Sequence, residues 1–258
     1  MENNLKTEVQ IINAFVDNNA GGNSAGVVLN ADHLSNKQKL SIAQKIGLSE
    51  TAFVSKSTLA DFKLDFFTPK RQIAHCGHAT IAVFSYLSQL NLIQNSISSK
   101  ETIDGTRDIL ITENLAFMEQ KTPYYQEVPA LEQKILQSLG ITGNDILSEA
   151  PISLVNTGNS FIIVPVKNAT TLKNIKPDYD LINQISEELD LVGFYIFCTE
   201  TSHRERVAST RMFAPRYGID EEAATGMAAG PLACYLFDKL HLKNNRMFVR
   251  IQTNLDFS

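Results

Sequence analysis

The chain has 258 residues, 43% of them hydrophobic, which is enough to bury a substantial core in one large domain or two lobes of ordinary size. With 28 acidic against 23 basic side chains the net charge is -5, so the basic excess expected of a nucleic-acid or anionic-membrane binder is missing and small molecules are the expected partners. The longest apolar stretches, around residues 81–87 and 161–166, are far shorter than the ~20 residues of a bilayer span, Met1-Glu2-Asn3-Asn4 is unlike a secretory signal, and Cys76, Cys198 and Cys234 make no disulfide framework, so a cytoplasmic protein is expected.

The first element reads as a strand in which Val9, Ile11, Asn13 and Phe15 share one face, with the run Gly26-Val27-Val28-Leu29 as its partner after the Gly21-Gly22-Asn23 turn. Ser35 with Gln38 three residues later forms a capping box, and Leu40, Ala43 and Ile46 recur at helical spacing until Gly47 ends the helix. Glu50 then lies where this helix hands over to a β-branched and aromatic strand, Thr51-Ala52-Phe53-Val54. Phe62, Leu64 and Phe66 alternate with Lys63 and Asp65 as in a half-buried strand that Thr68-Pro69 ends. Residues 79–87 are apolar on nearly every side, so this helix is expected to be enclosed by other elements. Residues 109–111 and 115–118 predict a hairpin around Glu113-Asn114, and residues 121–127, with Pro123, read as a linker.

The second half follows the first in outline. Residues 161–164 and 195–197 are strand-like, with a helical segment near 180–189 between them. Phe67-Thr68-Pro69 precedes Cys76-Gly77 and an apolar helix, while Phe213-Ala214-Pro215 precedes Thr225-Gly226 and a second apolar helix through Leu232, Ala233, Tyr235, Leu236 and Phe237. Each of these helices would begin at a small-residue corner whose free backbone amides suit an anion. Pro231 leaves the start of the second helix open, because proline is comfortable only in a first turn or at a kink.

Seven segments occur together in this order: Asn13-Ala14-Phe15, Gly21-Gly22-Asn23, Leu48-Ser49-Glu50-Thr51-Ala52-Phe53, Phe67-Thr68-Pro69, Cys76-Gly77-His78-Ala79-Thr80, Arg211-Met212-Phe213-Ala214-Pro215 and Ala224-Thr225-Gly226. In them the chain resembles the phenazine-biosynthesis PhzF-like isomerases, from about Val9 to about Phe237. The resemblance implies an α+β, diaminopimelate-epimerase-like fold of two pseudo-symmetric lobes, each a curved sheet around a central helix, with the active site in the cleft between them. The lobes would be residues 1–122 and 128–258, with the final strand free to return to the first lobe. The resemblance also implies a homodimer, no cofactor and no metal. Its acid/base position is Glu50, with His78 and Glu222 as assisting catalytic groups. Asn23, Gly77, Thr225, Gly226 and Met227 would bind a small carboxylate-bearing substrate.

The chemistry is consistent with that assignment. A glutamate that moves a proton between carbons must be partly desolvated, since burial raises its pKa toward neutrality. His78, in the first turn of an enclosed helix, would stay neutral beside the positive end of the dipole. The cluster His75, Cys76 and His78 also invites a metal reading, but it lacks a fourth ligand. Two-thiol epimerases use opposed cysteines; Cys76 matches the first such position and Thr225 stands at the second, which disfavours that mechanism and makes Cys76 a packing residue. A non-catalytic binding protein on the same fold is the other alternative. Four departures from the family pattern bear on it: Glu222 stands for the usual aspartate, Ala223 for proline and Met227 for serine, and the tail from Arg250 onward lacks the Gln-Gly and Gly-Arg-Pro-Ser closing features.

Overall fold

The computed structural model describes residues 7–16, 21–112, 115–201, 204–222, 225–243 and 247–251. The polar start, the Glu113-Asn114 hairpin tip, Ala223, Ala224 and the tail from residue 252 lie outside them. Backbone proximity divides the chain into two compact units, 1–119 and 120–258.

In the first unit the chain forms β1 (Gln10–Ala14), β2 (Asn23–Val28), α1 (Asn36–Ile46), β3 (Thr51–Ser55), β4 (Phe62–Phe67), the short β5 (Gln72–Ile73), α2 (Gly77–Gln89), β6 (Ile97–Thr102), β7 (Gly105–Thr112) and β8 (Leu115–Met118). The strands make one sheet in the order β1-β2-β3-β4-β6-β7-β8, with β5 beside β4. Seven strands at ~4.8 Å spacing would hold β1 and β8 roughly 29 Å apart if flat, whereas a helix is only ~10 Å across. Yet α2 packs against β1, β2 and β3 and also against β7 and β8. The sheet therefore curls around the helix, as the apolar circumference of residues 79–87 requires.

Strand alternation sorts the side chains between two layers. Ala52, Val54, Leu64 and Phe66 pack with Ala79, Val83 and Phe84 of α2, while Val28, Phe53 and Phe67 turn to the other face and pack with Ala43 of α1. Helix α1 starts at the expected capping box, the Ser35 hydroxyl accepting from Gln38 N–H, and ends at Gly47 in the left-handed region (φ 71°). A buried ion pair, Lys39 Nζ to Asp65 Oδ2 at 2.6 Å, ties α1 to β4.

The alternation of β1 and the hairpin near residue 113 are as expected, and one strand, β6, was not foreseen. In β1 the core side belongs to Ile12 and Ala14, and Ile11 is 60% exposed. The other residues alternate as expected; among the described residues β1 stands at the sheet edge beside β2, and Ile11 and Phe15 are exposed there. Strand β6 carries no apolar periodicity: its inward residues are Ser98, Lys100 and Thr102. The hairpin of β7 and β8 is present, with Leu110 opposite Phe117.

The second unit contains β9 (Tyr124–Glu127), α3 (Glu132–Leu139), β10 (Ser153–Asn156), β11 (Ser160–Pro165), α4 (Ala169–Asn174), α5 (Tyr179–Glu188), β12 (Gly193–Cys198), β13 (Arg206–Phe213), α6 (Gly226–Lys239) and β14 (Phe248–Ile251). Its sheet runs β14-β13-β12-β11-β10-β9. Ile162, Val164, Phe194 and Ile196 face Leu139, Ile182 and Ile185 of α3 and α5, while Phe161, Ile163, Tyr195 and Phe197 face Leu232, Tyr235 and Leu236 of α6. The unit thus repeats the plan of a curved sheet with an apolar helix on its inner face.

One reading is corrected here. Residues 124–127, expected in a linker, are β9, held antiparallel to β10. The last described strand, β14, lies parallel to β13, and the residues after 251 lie outside the described ones. Helix α6 begins at Gly226 and holds Pro231 in its interior, so the carbonyl of Met227, four residues earlier, loses the N–H that would have bonded it.

Candidate active site

Glu50 is placed by two local devices. Gly47 stops α1, and three residues later the Glu50 carbonyl accepts the N–H of Gly26 at 3.1 Å, fixing the entry to β3 beside β2. Gly26 is required there, because a Cβ at that position would lie 2.9 Å from Thr51 Oγ1. The carboxyl that follows is 5% exposed. Burial raises its pKa, partly opposed by a hydrogen bond from the Ser49 side chain.

His78 arrives from the first turn of α2, which Cys76 opens as N-cap. It is also 5% exposed, and its Nε2 lies 3.4 Å from Glu50 Oε2. Burial pushes the imidazole down to about 4, so near neutrality it is uncharged. Both shifts have the same origin: desolvation penalises charge on either partner. Glu50 Oε2 and His78 Nε2 are buried polar atoms that form no hydrogen bond among the described residues. Two unsatisfied groups side by side are costly in a packed interior.

On the other side of the imidazole, Cys76 Sγ lies 3.6 Å from His78 Nδ1. Cys76 thus touches the pair while also packing, fully buried, in the core of the first unit as expected. The donor atoms of Glu50, Cys76 and His78 lie within 4.8 Å of one another. They could serve three positions of a metal site. A closed zinc centre takes four, and no fourth His, Cys, Asp or Glu joins them among the described residues. His75, whose metal reading with Cys76 and His78 the sequence disfavoured, contacts Lys100, Nζ to Nδ1 at 3.2 Å.

The remaining expected residues fall in two places. Gly77 is the buried first residue of α2, and Asn23 opens β2, three residues before Gly26. In the second unit Thr225 is the buried N-cap of α6, Gly226 and Met227 form its first turn, and Glu222, 9% exposed, donates its N–H to the Met212 carbonyl at 3.1 Å. Met227 Sδ accepts the Asn159 amide at 3.4 Å. The Arg211-Met212-Phe213 motif is structural: Arg211 is fully buried on β13 and binds Glu221 through Nε and Nη2 at 2.8 and 3.0 Å.

Sequence reasoning missed Lys100. It is wholly buried on β6, with Nζ 2.8 Å from Thr80 Oγ1. The signal that could have found it is a period-2 alternation in which Ser98, Lys100 and Thr102 share a face, visible only once β6 is known to be a strand.

A family profile described as phenazine biosynthesis-like protein matches residues 12–254. The chain belongs to this family. An uncharacterized isomerase of Clostridium acetobutylicum is 33% identical over 246 residues, covering 92% of this chain and 82% of the relative. The trans-2,3-dihydro-3-hydroxyanthranilate isomerase of Pseudomonas chlororaphis is 30% identical over 232 residues, covering 88% and 78%. The crystal structure of a PhzF-family phenazine biosynthesis protein from Bacillus anthracis superposes with a TM-score of 0.84 at 29% identity, over 93% of this chain and 83% of that one. As a phenazine biosynthesis-like protein the chain is an isomerase. Among the described residues no helix is long and apolar enough to cross a membrane.

Proposed function

We propose that this chain shifts a proton along a small, unsaturated, carboxylate-bearing acid, with Glu50 as acid and base and His78 as its hydrogen-bonding partner. The observation that carries the reading is the buried pair itself. A carboxyl and an imidazole 3.4 Å apart, both desolvated and with the facing atoms Oε2 and Nε2 unsatisfied, form a poor structural element and a well-prepared proton donor and acceptor. Its raised pKa brings the Glu50 carboxyl toward the range in which both protonation states are populated.

In the ionised form Glu50 takes the proton from one substrate carbon. The C–H bond breaks, its electrons delocalise into the unsaturated acid, and a carboxylic O–H forms. The same O–H then protonates a different carbon of the conjugated system, restoring the carboxylate. Neutral His78 holds the proton-bearing oxygen in place and supplies a donor as charge develops. The two-thiol alternative has no second sulfur at Thr225. Glu222, Thr225, Gly226 and Met227 belong to the same proposal as substrate-handling groups, with Asn23 and Gly77.

The test is solvent-deuterium incorporation followed by proton NMR, with a panel of small unsaturated amino and hydroxy acids that includes trans-2,3-dihydro-3-hydroxyanthranilate, named for the Pseudomonas relative. Deuterium should enter carbon with the native chain. In Glu50→Gln it should slow by ~10²–10⁴-fold, the usual contribution of a positioned acid/base. Equal incorporation in native chain and variant would remove Glu50 from the role.

A further inference from the structure

Behind the Glu50–His78 pair lies a second buried polar group that the proton shift does not use. Lys100 is fully enclosed on β6, its Nζ 5.3 Å from the centroid of the Phe66 ring on β4. It donates to Thr80 Oγ1 at 2.8 Å and contacts His75 Nδ1 at 3.2 Å. The Thr80 hydroxyl in turn donates to the Cys76 carbonyl at 2.6 Å, and that carbonyl also accepts the Thr80 N–H at 3.2 Å. Cys76, Gly77 and His78 are the opening turn of α2. One ammonium therefore grips the residue before this turn and, through Thr80, the turn itself.

We infer that Lys100 is a positioning residue for the proton-transfer centre, its ammonium setting the orientation of His78 against Glu50 through Thr80 and the Cys76 carbonyl. The inference rests on the acid/base reading of that pair. Burial gives the contact a pH dependence. The groups facing Lys100 are His75 and Cys76 ahead of α2, Thr80 on α2, Phe66 on β4, Arg107 on β7 and Asp104 in the turn before it. Asp104 pairs with Arg107. Burial outweighs the favourable influence of Cys76 and Asp104 and brings the Lys100 ammonium down to about 7. Above that pH the neutral amine becomes a weaker donor that can also accept, and the Thr80 hydroxyl is no longer held in a single direction.

The experiment uses the full chain labelled with 15N-histidine and follows the His78 ring signals, assigned with His78→Gln, between about pH 5.5 and 9.5. His78 itself ionises at about 4, outside this range. The expected result is a step in its signals with a midpoint of about 7. Followed in a Glu50→Gln background, so that the neighbouring carboxyl does not titrate, the step disappears in Lys100→Met and persists in His75→Gln. In Lys100→Arg the acid-side signals hold across the whole range, because the guanidinium stays charged. Thr80→Val, which cuts the link and leaves the lysine, abolishes the step as well. Flat signals in the native chain, an unaltered step in Lys100→Met or Thr80→Val, or a step lost only in His75→Gln would overturn the inference. In the deuterium assay Lys100→Met lowers kcat ~10- to 100-fold, as for a misplaced group, with little change in KM. The NMR readout needs no substrate, so failure of Glu50→Gln to slow exchange bears on the acid/base assignment alone.

Discussion

Arg211 offers a sharp test of how the second unit is held together. Its guanidinium is fully buried; Nε and Nη2 grip the two oxygens of Glu221 at 2.8 and 3.0 Å, and Nη1 donates to the Leu172 and Ile175 carbonyls at 3.2 and 3.0 Å. Those carbonyls close the last turn of α4, so a single side chain joins β13, α4 and the segment after β13. Arg211→Met removes the cation and leaves a carboxylate whose side chain is 12% exposed, together with two carbonyls lacking this donor. Breaking a buried pair from one side costs about 3–5 kcal/mol. Arg211→Lys keeps the charge without the planar fork and should cost about 1.5–3 kcal/mol, the worth of a hydrogen bond to a charged group. The double variant Arg211→Met with Glu221→Leu removes both charges and should be more stable than Arg211→Met alone. Urea unfolding of the full chain followed by circular dichroism gives all of these, and adding Glu221→Leu alone completes the cycle that isolates the coupling. A loss below about 1 kcal/mol for Arg211→Met, the value of an exposed ion pair, would refute the account.

Other substitutions address the site and its frame. The His78 imidazole ionises near 6.5 in the unfolded chain and at about 4 when folded, so its contribution is whole above pH 6.5 and is lost as pH falls to about 4. The stability of the native chain should fall by about 3 kcal/mol relative to His78→Gln across that window; parallel pH profiles would contradict it. Lys100 does not interfere, since its linkage acts between about 10.5 and about 7, where stability falls as pH falls. Glu50→Gln, which removes a buried, unsatisfied carboxylate, should raise stability at neutral pH by about 1–3 kcal/mol while slowing exchange, measured by thermal and urea unfolding. Gly26→Ala drives a methyl to 2.9 Å from Thr51 Oγ1 and should cost about 1–3 kcal/mol, with exchange slowed because the Gly26 N–H bond to Glu50 is displaced.

Local chemistry made much of this protein legible without coordinates. The capping box at Ser35 and the glycine stop at Gly47 are short-range devices, and both stand as read. The uninterrupted apolar surface of residues 79–87 required enclosure, which α2 has within a curled sheet. The motif around Glu50 and His78 named two residues that the fold brings to 3.4 Å from each other. Other features were silent, because they depend on which surface meets which. That β1 stands at the sheet edge was hidden because only pairing shows it, and β9 was hidden because a polar strand of four residues is specified by its partner β10. Lys100 lay in a stretch with no apolar rhythm, and its burial is decided by β4, β7 and α2 closing around it. Sequence by itself determined both ends of α1, the enclosure of α2 and the position of Glu50 between a helix and a strand, since those follow from neighbours along the chain. Only the tertiary structure decided the protonation tendencies of Glu50, His78 and Lys100, because desolvation is imposed by side chains distant in sequence.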